Sequence, residues 1–400
     1  EPIAQLDPMH ADRIYEVLRE LNEKYGKTII VIEHHTEYIA DYCKNVLLLK
    51  DGHAQWKLPA KEALGRVEEL RSCNIFPPQV TLAAYELEQS GLPGSESPRL
   101  PSTIEDGKKA FAGLVFHKDD SSADAEDRVP GETVVSFRNV AVSYRSVKGE
   151  PRQIFRSLDL DLHKGEKIAL IGSNGAGKST MMKLMTGLLR PNAGDIRIKD
   201  IQVENMKPEG MSRYVSLVYQ NPEDMFIKDS IEADISFAMQ ARREENWQER
   251  TGELLKRFHL SELKDRDGRL LSGGQMRRAS LAIGVALEPE ILLLDEPTAN
   301  LDIATRKEIM RTLKEMEDIT ETVMIATHDM QLVCEWADRI IVLFQGEVIA
   351  DGNRDEIFGN REVLDTVGIR PPEIFSMAQA LDHRAYCYTI DEFVKGFGGR

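Results

Sequence analysis

The chain has 400 residues, of which 42% are hydrophobic and 30% charged, so two or three domains with packed cores are expected. A net charge of −16 argues against nucleic-acid binding as the main function, because phosphate recognition needs clustered lysines and arginines. Four cysteines without metal-ligand spacing indicate reduced cytosolic thiols. The sequence shows no long apolar run and no signal peptide, so any membrane role is expected through a partner.

The beginning of the chain recurs near its end. Three stretches repeat in the same order: EPIAQLD at 1–7 as EPTANLD at 296–302, TIIVIEH at 28–34 as TVMIATH at 322–328, and the Pro-Pro pair at 77–78 as that at 371–372. A register kept over this distance predicts two copies of one structural unit. Because the chain begins inside a repeated motif, we expect its first copy to be truncated at the N-terminus.

The repeat divides the chain into four predicted segments. Residues 1–112 are the C-terminal part of the first copy, residues 133–360 a whole second copy, and residues 361–400 a C-terminal extension. Residues 113–132 lie between the copies. The run 117–127 within them is acidic and nearly devoid of large apolar residues, which predicts a flexible linker.

Short apolar runs alternate with helical patterns in the second copy. Four runs are predicted as buried strands: Lys167–Ile171, Ile291–Leu294, Val323–Ala326 and Ile340–Leu343. The repeat predicts a further strand at 28–32 in the first copy. This alternation indicates an α/β fold with a largely parallel sheet.

A phosphate-binding loop follows the first of these strands. The residues that fit GxxxxGK[ST] are Gly172, Ser173, Asn174, Gly175, Ala176, Gly177, Lys178, Ser179 and Thr180. The glycines let backbone N–H groups curl round phosphates, and the helix that follows adds a favourable dipole. Lys178 is expected to reach the β- and γ-phosphates, and Ser179 to offer its hydroxyl to Mg²⁺. A mere Gly-rich turn with a solvated lysine is disfavoured by the strand–loop–helix context.

Two further motifs come later in the second copy. Ser272, Gly273, Gly274 and Gln275 follow Leu271 and form a second candidate anion site, with a hydroxyl and glycine N–H groups at a helix start. The strand 291–294 ends in Asp295 and Glu296. A parallel strand delivers its last residues beside the phosphate loop, so Asp295 is expected to hold Mg²⁺ and Glu296 to activate the attacking water.

Together these motifs resemble the ATP-binding cassette (ABC) family, whose signature is LSGGQ. The resemblance implies an α/β P-loop NTPase fold with a helical signature subdomain. The resemblance implies ATP and Mg²⁺ as cofactors and ATP hydrolysis as the activity. It also implies that Gln220 is the Q-loop glutamine near Mg²⁺, that His328 is the switch histidine and that Tyr144 stacks on adenine. Residues 300–302 would form the D-loop.

In this family two domains pair head to tail, and each ATP site takes its signature from the opposite domain. One site would use Lys178, Gln220, Asp295, Glu296 and His328, facing a signature of the first copy that this chain lacks. The other would use the first-copy remnants Glu1 and His34 with Ser272–Gln275, and Asp7 would close the first copy's D-loop. Neither site is expected to be complete within one chain.

The stretch QNPED at 220–224 resembles the Q-loop of energy-coupling-factor (ECF) importers, although Met225 replaces that group's glutamine. The repeated Pro-Pro elements resemble the C-terminal extension that helps such ATPases pair. This resemblance implies an ATPase on the cytoplasmic face of the membrane, which drives import of a vitamin or metal ion through an integral membrane partner. The sequence does not identify the solute.

Three other interpretations stay open, and the first is another ABC transporter ATPase outside the ECF group. A soluble twin-cassette ATPase acting on ribosomes would need basic inter-domain helices, and the acidic linker argues against it. A catalytically inactive regulatory cassette is disfavoured because Glu296 and His328 are intact in the second copy.

Overall fold

The computed structural model describes residues 2, 8–91, 99–117, 131–144, 151–299, 301 and 303–398. The chain divides into two compact units. The first unit comprises Glu1–Arg128, Asp302–Ala304 and Gly368–Arg400, and the second unit comprises Val129–Leu301 and Thr305–Val367. Within the described residues, no helix combines the length and the apolar composition that crossing a bilayer requires.

Two sheets form the framework of the second unit. A four-stranded antiparallel sheet has the order β4-β3-β6-β7, with β3 Thr133–Tyr144, β4 Arg152–His163, β6 Ala193–Ile198 and β7 Ile201–Gln202. A six-stranded sheet has the order β12-β11-β5-β10-β9-β8, with β5 Lys167–Gly172, β8 Val215–Val218, β9 Ile291–Asp295, β10 Thr322–Ala326, β11 Arg339–Phe344 and β12 Glu347–Gly352. Its first five strands in chain order pair in parallel, and β12 is antiparallel to β11.

The helices of the second unit lie between these strands in the chain. They are α7 Lys178–Met185, α8 Pro208–Met211, α9 Ile231–Ala241, α10 Trp247–Arg257, α11 Gly273–Val285, α12 Ile303–Glu315, α13 Met330–Trp336, α14 Arg354–Phe358 and α15 Arg361–Val367. One core packs α7 against both sheets, with Phe155, Met181 and Leu293 fully buried. A second core packs α9, α10, α11 and α12 against the other face of the large sheet.

The first unit joins segments from both ends of the chain. Its described elements are α1 Pro8–Glu23, α2 Thr36–Tyr42, β1 Asn45–Lys50, β2 His53–Pro59, α3 Ala60–Leu64, α4 Val67–Ser72, α5 Gln79–Gln89, α6 Ile104–Ala110, α16 Glu373–Leu381 and α17 Ile390–Phe397. Strands β1 and β2 form an antiparallel pair.

Helices α5 and α16 follow the two repeated Pro-Pro elements and share one hydrophobic core with α6 and α17. Their first turns exchange hydrogen bonds. The backbone N–H of Ile374 donates to Gln79 Oε1 at 2.9 Å, and the N–H of Val80 donates to Glu373 Oε2 at 3.3 Å. Each helix therefore satisfies a free N–H group of the other, which fixes the pair in a nearly symmetrical arrangement.

All four strands predicted in the second copy are confirmed as parts of β5, β9, β10 and β11, and the large sheet is mainly parallel as predicted. The separate antiparallel sheet was not predicted. The predicted strand at 28–32 is wrong: this stretch has no strand pairing, and Ile30 is 90% exposed. Its counterpart β10 is a strand because it lies between β5 and β9, and β1 and β2 are the strands among the first unit's described residues.

The predicted linker at 113–132 is described only at its two ends. Leu114 and Phe116 pack against the helical core of the first unit, and the N–H of His117 donates to the carbonyl oxygen of Gly396 at 2.8 Å. The packed chain thus continues to His117. The remaining acidic stretch, residues 118–130, lies outside the described residues.

Candidate nucleotide-binding site

The phosphate loop connects β5 to α7 and depends on glycine at two positions. Gly172 has φ +153°, and a Cβ there would collide with the carbonyl oxygen of Leu343 on the neighbouring strand. Gly177 has φ +117°, and its Cβ would lie 2.7 Å from the ring of Phe155. A side chain at either position would displace the loop. The N–H of Ala176 donates to Ser173 O at 3.1 Å and closes the turn.

Lys178 is the first residue of α7 and is buried. Its Nζ donates to the carbonyl oxygen of Gly172 at 2.7 Å, so the ammonium group lies against the loop. Asn174, Gly175 and Ser179 are exposed on the same loop and helix start. A positive charge beside exposed N–H groups at a helix N-terminus is the arrangement that binds phosphate.

Asp295 ends β9 and is hydrogen-bonded by the hydroxyl of Ser179. Burial raises the pKa of Asp295, while the Ser179 hydrogen bond and the Lys178 charge act in the opposite direction. No cluster of three or more His, Cys, Asp or Glu side chains that would hold a metal alone occurs in the described part of the chain. Mg²⁺ at phosphate sites needs one or two protein oxygens and takes its other ligands from phosphates and water, so Ser179 and Asp295 fit it.

Glu296 and His328 form a hydrogen-bonded pair. The Glu296 side chain is buried, and its Oε1 lies 2.9 Å from His328 Nδ1. Glu296 has φ +47°, which a non-glycine residue adopts only when the surroundings enforce it. Its N–H donates to Ala326 O at 2.8 Å, which helps to hold this conformation. The hydrogen bond to Glu296 raises the pKa of His328, against the effect of burial. This carboxylate is therefore held in one position, as a group that orients a water must be.

The signature residues lie at the surface of the second unit. Ser272 and Gly273 are exposed, and α11 begins at Gly273. The N–H of Ser272 donates to Gln275 Oε1 at 3.2 Å, which shapes this helix start. A Cβ on Gly274 would lie 2.7 Å from Thr305 Cγ2, so this close approach to α12 requires glycine. The exposed helix N-terminus is available to an anion presented from outside the unit.

Comparison with known proteins agrees with this geometry. The sequence profile of the ABC transporter family matches residues 155–299. The solved structure of cbiO1 from Clostridium perfringens, described as part of the ABC transporter complex cbiONQ, is 31% identical, with a TM-score of 0.51 over 60% of this chain and 97% of that chain. The chain belongs to the ABC transporter ATPase family.

A second solved structure and two further relatives are also similar to this chain. The ATP-binding cassette MJ0796, solved as a post-hydrolysis dimer with ADP and Pi, is 27% identical over 55% of this chain and 98% of that chain, with a TM-score of 0.50. ABC transporter ATP-binding proteins of Methanosarcina acetivorans and Caldanaerobacter subterraneus are 30% and 29% identical over 93% and 95% of this chain. The chain spans 62% and 67% of the lengths of these two relatives.

The Q-loop of this ABC ATPase domain follows β8. Gln220 is exposed, and its carbonyl oxygen accepts from Arg277 Nη2 at 2.7 Å. The side chain of Asn221 accepts from the N–H of Glu223, which shapes the short turn after it. Beyond the turn, Ile227 is 60% exposed and Phe237 is 42% exposed. Two large apolar side chains are therefore exposed in the chain that follows the Q-loop, and Lys228 Nζ lies 4.2 Å from the centroid of the Phe237 ring.

Tyr144 lies at the end of β3, with its hydroxyl 3.3 Å from Thr180 Oγ1. The residue is 39% exposed. The structure thus brings this tyrosine to the phosphate-loop helix, and adenine stacking stays a prediction.

Two residues of the site were not predicted from the sequence. Asp329 accepts from the Thr298 hydroxyl at 3.1 Å, pairs with Arg306 and caps α13 by accepting from the N–H of Leu332. It thereby braces the segment after Glu296 against the turn that carries His328. An acidic residue directly before a helical run was the signal available for this N-cap.

The second residue that was missed is Arg277, which is almost fully buried behind the signature. Its position after LSGGQM gave no signal, because an arginine in an amphipathic helix is ordinarily solvated.

The first-copy residues are only partly described. Glu1 and Asp7, and also Asn300 and Asp302 of the second D-loop, lie outside the described residues. His34 is exposed in the first unit, and its N–H donates to Glu33 Oε1 at 2.9 Å. Its predicted role as a switch histidine stays a prediction.

Proposed function

We propose that this protein is an ATP-hydrolysing subunit that binds Mg-ATP between paired ABC domains and drives import of a small solute, a vitamin or metal ion, through a membrane partner. The observation that carries the proposal is the fixed Glu296–His328 pair beside a complete phosphate loop. A protein that only bound nucleotide would not need a carboxylate held in a left-handed backbone conformation.

The phosphate groups of ATP would lie on the loop 172–180, where N–H groups and Lys178 Nζ supply positive potential. Ser179 and Asp295 would supply protein oxygens to Mg²⁺, and Gln220 would approach it from the Q-loop. Tyr144 would stack on adenine. When bound, the metal would neutralise charge that develops on the phosphates.

Hydrolysis would use Glu296 to orient the attacking water. The hydrogen bond to Glu296 raises the pKa of His328, which favours the ring form with an N–H donor on each nitrogen, close to the same place. Asp329 keeps the histidine turn and the segment after Glu296 together. Glu296 after β9 and the neighbouring residues His328 and Asp329 after β10 would thereby share the task of orientation, which together with electrostatic stabilisation is the main catalytic contribution in phosphoryl transfer.

The signature Ser272–Gln275 would act on ATP held by another copy, because it is exposed at a helix start. Donors from both sides of a γ-phosphate stabilise the charge of the transition state. The described residues contain one phosphate loop and one signature, so a full site would require a second ABC domain.

Three features support transport through a membrane partner. The Q-loop sequence 220–224 resembles that of ECF importers, and the apolar side chains of Ile227 and Phe237 are exposed in the chain that follows it. The helices after both Pro-Pro elements pair in one core, as expected for extensions that help ATPase domains pair. The protein would then work at the cytoplasmic face of the membrane as a peripheral subunit.

The test is crosslinking from a single introduced cysteine, with membranes of the source organism and Mg-ATP present. Met225→Cys lies in the Q-loop turn and should capture an integral membrane protein. The matched control is Asp200→Cys, an exposed turn position after β6, which should capture none. The unsubstituted chain reports any background from Cys43 and Cys73. Capture of ribosomal proteins, or equal capture from both positions, would refute the transport proposal.

A further inference from the structure

Arg277 lies at the junction of three parts of the ATP site. Its guanidinium donates to Tyr219 O at 2.9 Å and to Gln220 O at 2.7 Å, two consecutive carbonyls of the Q-loop. The same Nη2 lies 3.5 Å from Glu296 O, the carbonyl of the residue held at positive φ. Arg277 itself belongs to α11, two residues after the signature glutamine Gln275.

The burial of this arginine makes the contacts significant. Only 2% of the residue is exposed, and its Nε has no hydrogen-bond partner among the described residues. Burial lowers the pKa of Arg277 to about 10, while Asp295 and Glu296 act in the opposite direction, so the group stays charged at neutral pH. A buried charge without a full set of partners destabilises the fold, because desolvation of the charge is only partly offset. A residue needed only to fill space here would be apolar.

The planar fork of arginine explains why this residue type is present. A guanidinium can reach several carbonyl oxygens at once in fixed directions, whereas a lysine ammonium is a single compact charge. These hydrogen bonds connect α11 to the Q-loop and to Glu296. A displacement of α11 would therefore strain the hydrogen bonds that Arg277 donates to the carbonyl oxygens of both. The neighbouring Arg278 faces elsewhere, with Nε bonded to Phe258 O at 3.1 Å and Nη1 paired with Glu308 at 2.7 Å.

We propose that Arg277 is a positioning residue that ties the signature helix to the Q-loop and to the catalytic carboxylate of the same domain. The signature serves an ATP held by another copy, so Arg277 passes the state of that second site to Glu296. This inference rests on the proposed ATP hydrolysis. It predicts that Arg277 affects turnover and the ATP-dependent movement of the Q-loop, and leaves ATP capture on the phosphate loop unchanged.

The experiment compares Arg277→Lys with the matched control Arg278→Lys in the whole chain at one high concentration. The measurements are the Kd of a fluorescent ATP analogue, steady-state kcat and KM for ATP, and the ATP-induced change of an environment-sensitive dye on Met225→Cys. Arg277→Lys should keep Kd within about threefold, lower kcat by at least about tenfold and lose most of the dye response. Arg278→Lys should stay within about twofold in all three. A kcat and dye response of Arg277→Lys equal to those of Arg278→Lys would overturn the inference.

Hydrogen exchange on the unsubstituted protein tests the link without a variant, should Arg277→Lys fail to fold. Mg-ATP at high protein concentration should slow exchange in 272–277, 219–221 and 296–298 together, by at least about threefold in each. Slower exchange in 272–277 with unchanged exchange rates in 219–221 and 296–298 would contradict the proposed coupling through Arg277. If the unsubstituted chain neither binds nor hydrolyses ATP, the proposed function itself is refuted. If it does both and only the Arg277 results differ from those expected, the inference about Arg277 alone is refuted.

Discussion

Replacing Glu296 with glutamine keeps the size of the side chain and removes its charge. The oxygen of the neutral amide can still accept a hydrogen bond from His328 Nδ1, which lies 2.9 Å from Glu296 Oε1 in the unsubstituted protein. A charge-assisted hydrogen bond contributes about 1.5–3 kcal/mol and a neutral one about 0.5–1.5 kcal/mol, so folding stability should fall by only about 1 kcal/mol. ATP affinity should stay within about threefold, because Lys178 and its loop are not altered.

Turnover should respond far more strongly than binding. Removal of a general base typically costs ~10²–10⁴-fold in rate, which corresponds to about 2.7–5.4 kcal/mol of activation free energy at about 1.36 kcal/mol per tenfold change. The assay is steady-state phosphate release beside analogue binding. The control Glu335→Gln alters an exposed carboxylate on α13 and should leave both unchanged. Turnover of Glu296→Gln within threefold of the unsubstituted protein would refute the assignment of the base.

The same substitution makes a prediction about pH. The hydrogen bond to Glu296 raises the pKa of His328 above its ordinary value of 6.5, so the pair contributes stability that is fully present below 6.5 and is lost as pH rises through the raised value. Glu296→Gln should lower the pKa of His328 and remove this part of the pH dependence. Titration of the histidine ring protons by NMR measures it, and an unchanged His328 pKa would contradict the pairing.

Three further predictions concern the loop and the first unit. Lys178→Ala should abolish binding of a fluorescent ATP analogue without unfolding the protein, and unchanged affinity would remove Lys178 from the site. Gly177→Ala should also weaken that binding by at least about tenfold, because its Cβ would press on Phe155; binding equal to wild type would show that the loop adapts. Burial, followed by repulsion from Glu37, raises the pKa of Glu373 well above its ordinary range, so its ionisation destabilises the fold as pH rises. Glu373→Gln should therefore raise Tm more at pH 8 than at pH 5, and an equal effect at both would contradict this.

The parts of the site that the sequence predicted are those in which neighbours along the chain carry the function. The phosphate loop and the Asp295–Glu296 pair each follow a buried strand, and parallel pairing of β5, β10 and β9 brings them to one edge of the sheet. Local pattern and strand direction are enough to place such residues.

The features that the sequence did not predict depend on distant partners. Arg277 meets carbonyls of Tyr219 and Glu296 only after α11 has packed against β8 and β9, and nothing in its own stretch indicates burial. The stretch 28–32 has the composition of a strand but no paired neighbour among the described residues, and a strand needs a ladder. In the same way, Phe116 packs on Phe397 with ring centroids 5.4 Å apart, although its stretch reads as the start of a linker.

The central claim is that this ABC domain completes its ATP site with the signature of a second domain. The direct measurement is specific ATPase activity of the 400-residue chain as a function of its concentration. The described residues hold one phosphate loop and one signature. Under this claim two chains must meet for hydrolysis, so specific activity should rise steeply with concentration at the low end while ATP binding per chain stays constant. Full specific activity that does not depend on concentration would contradict the claim.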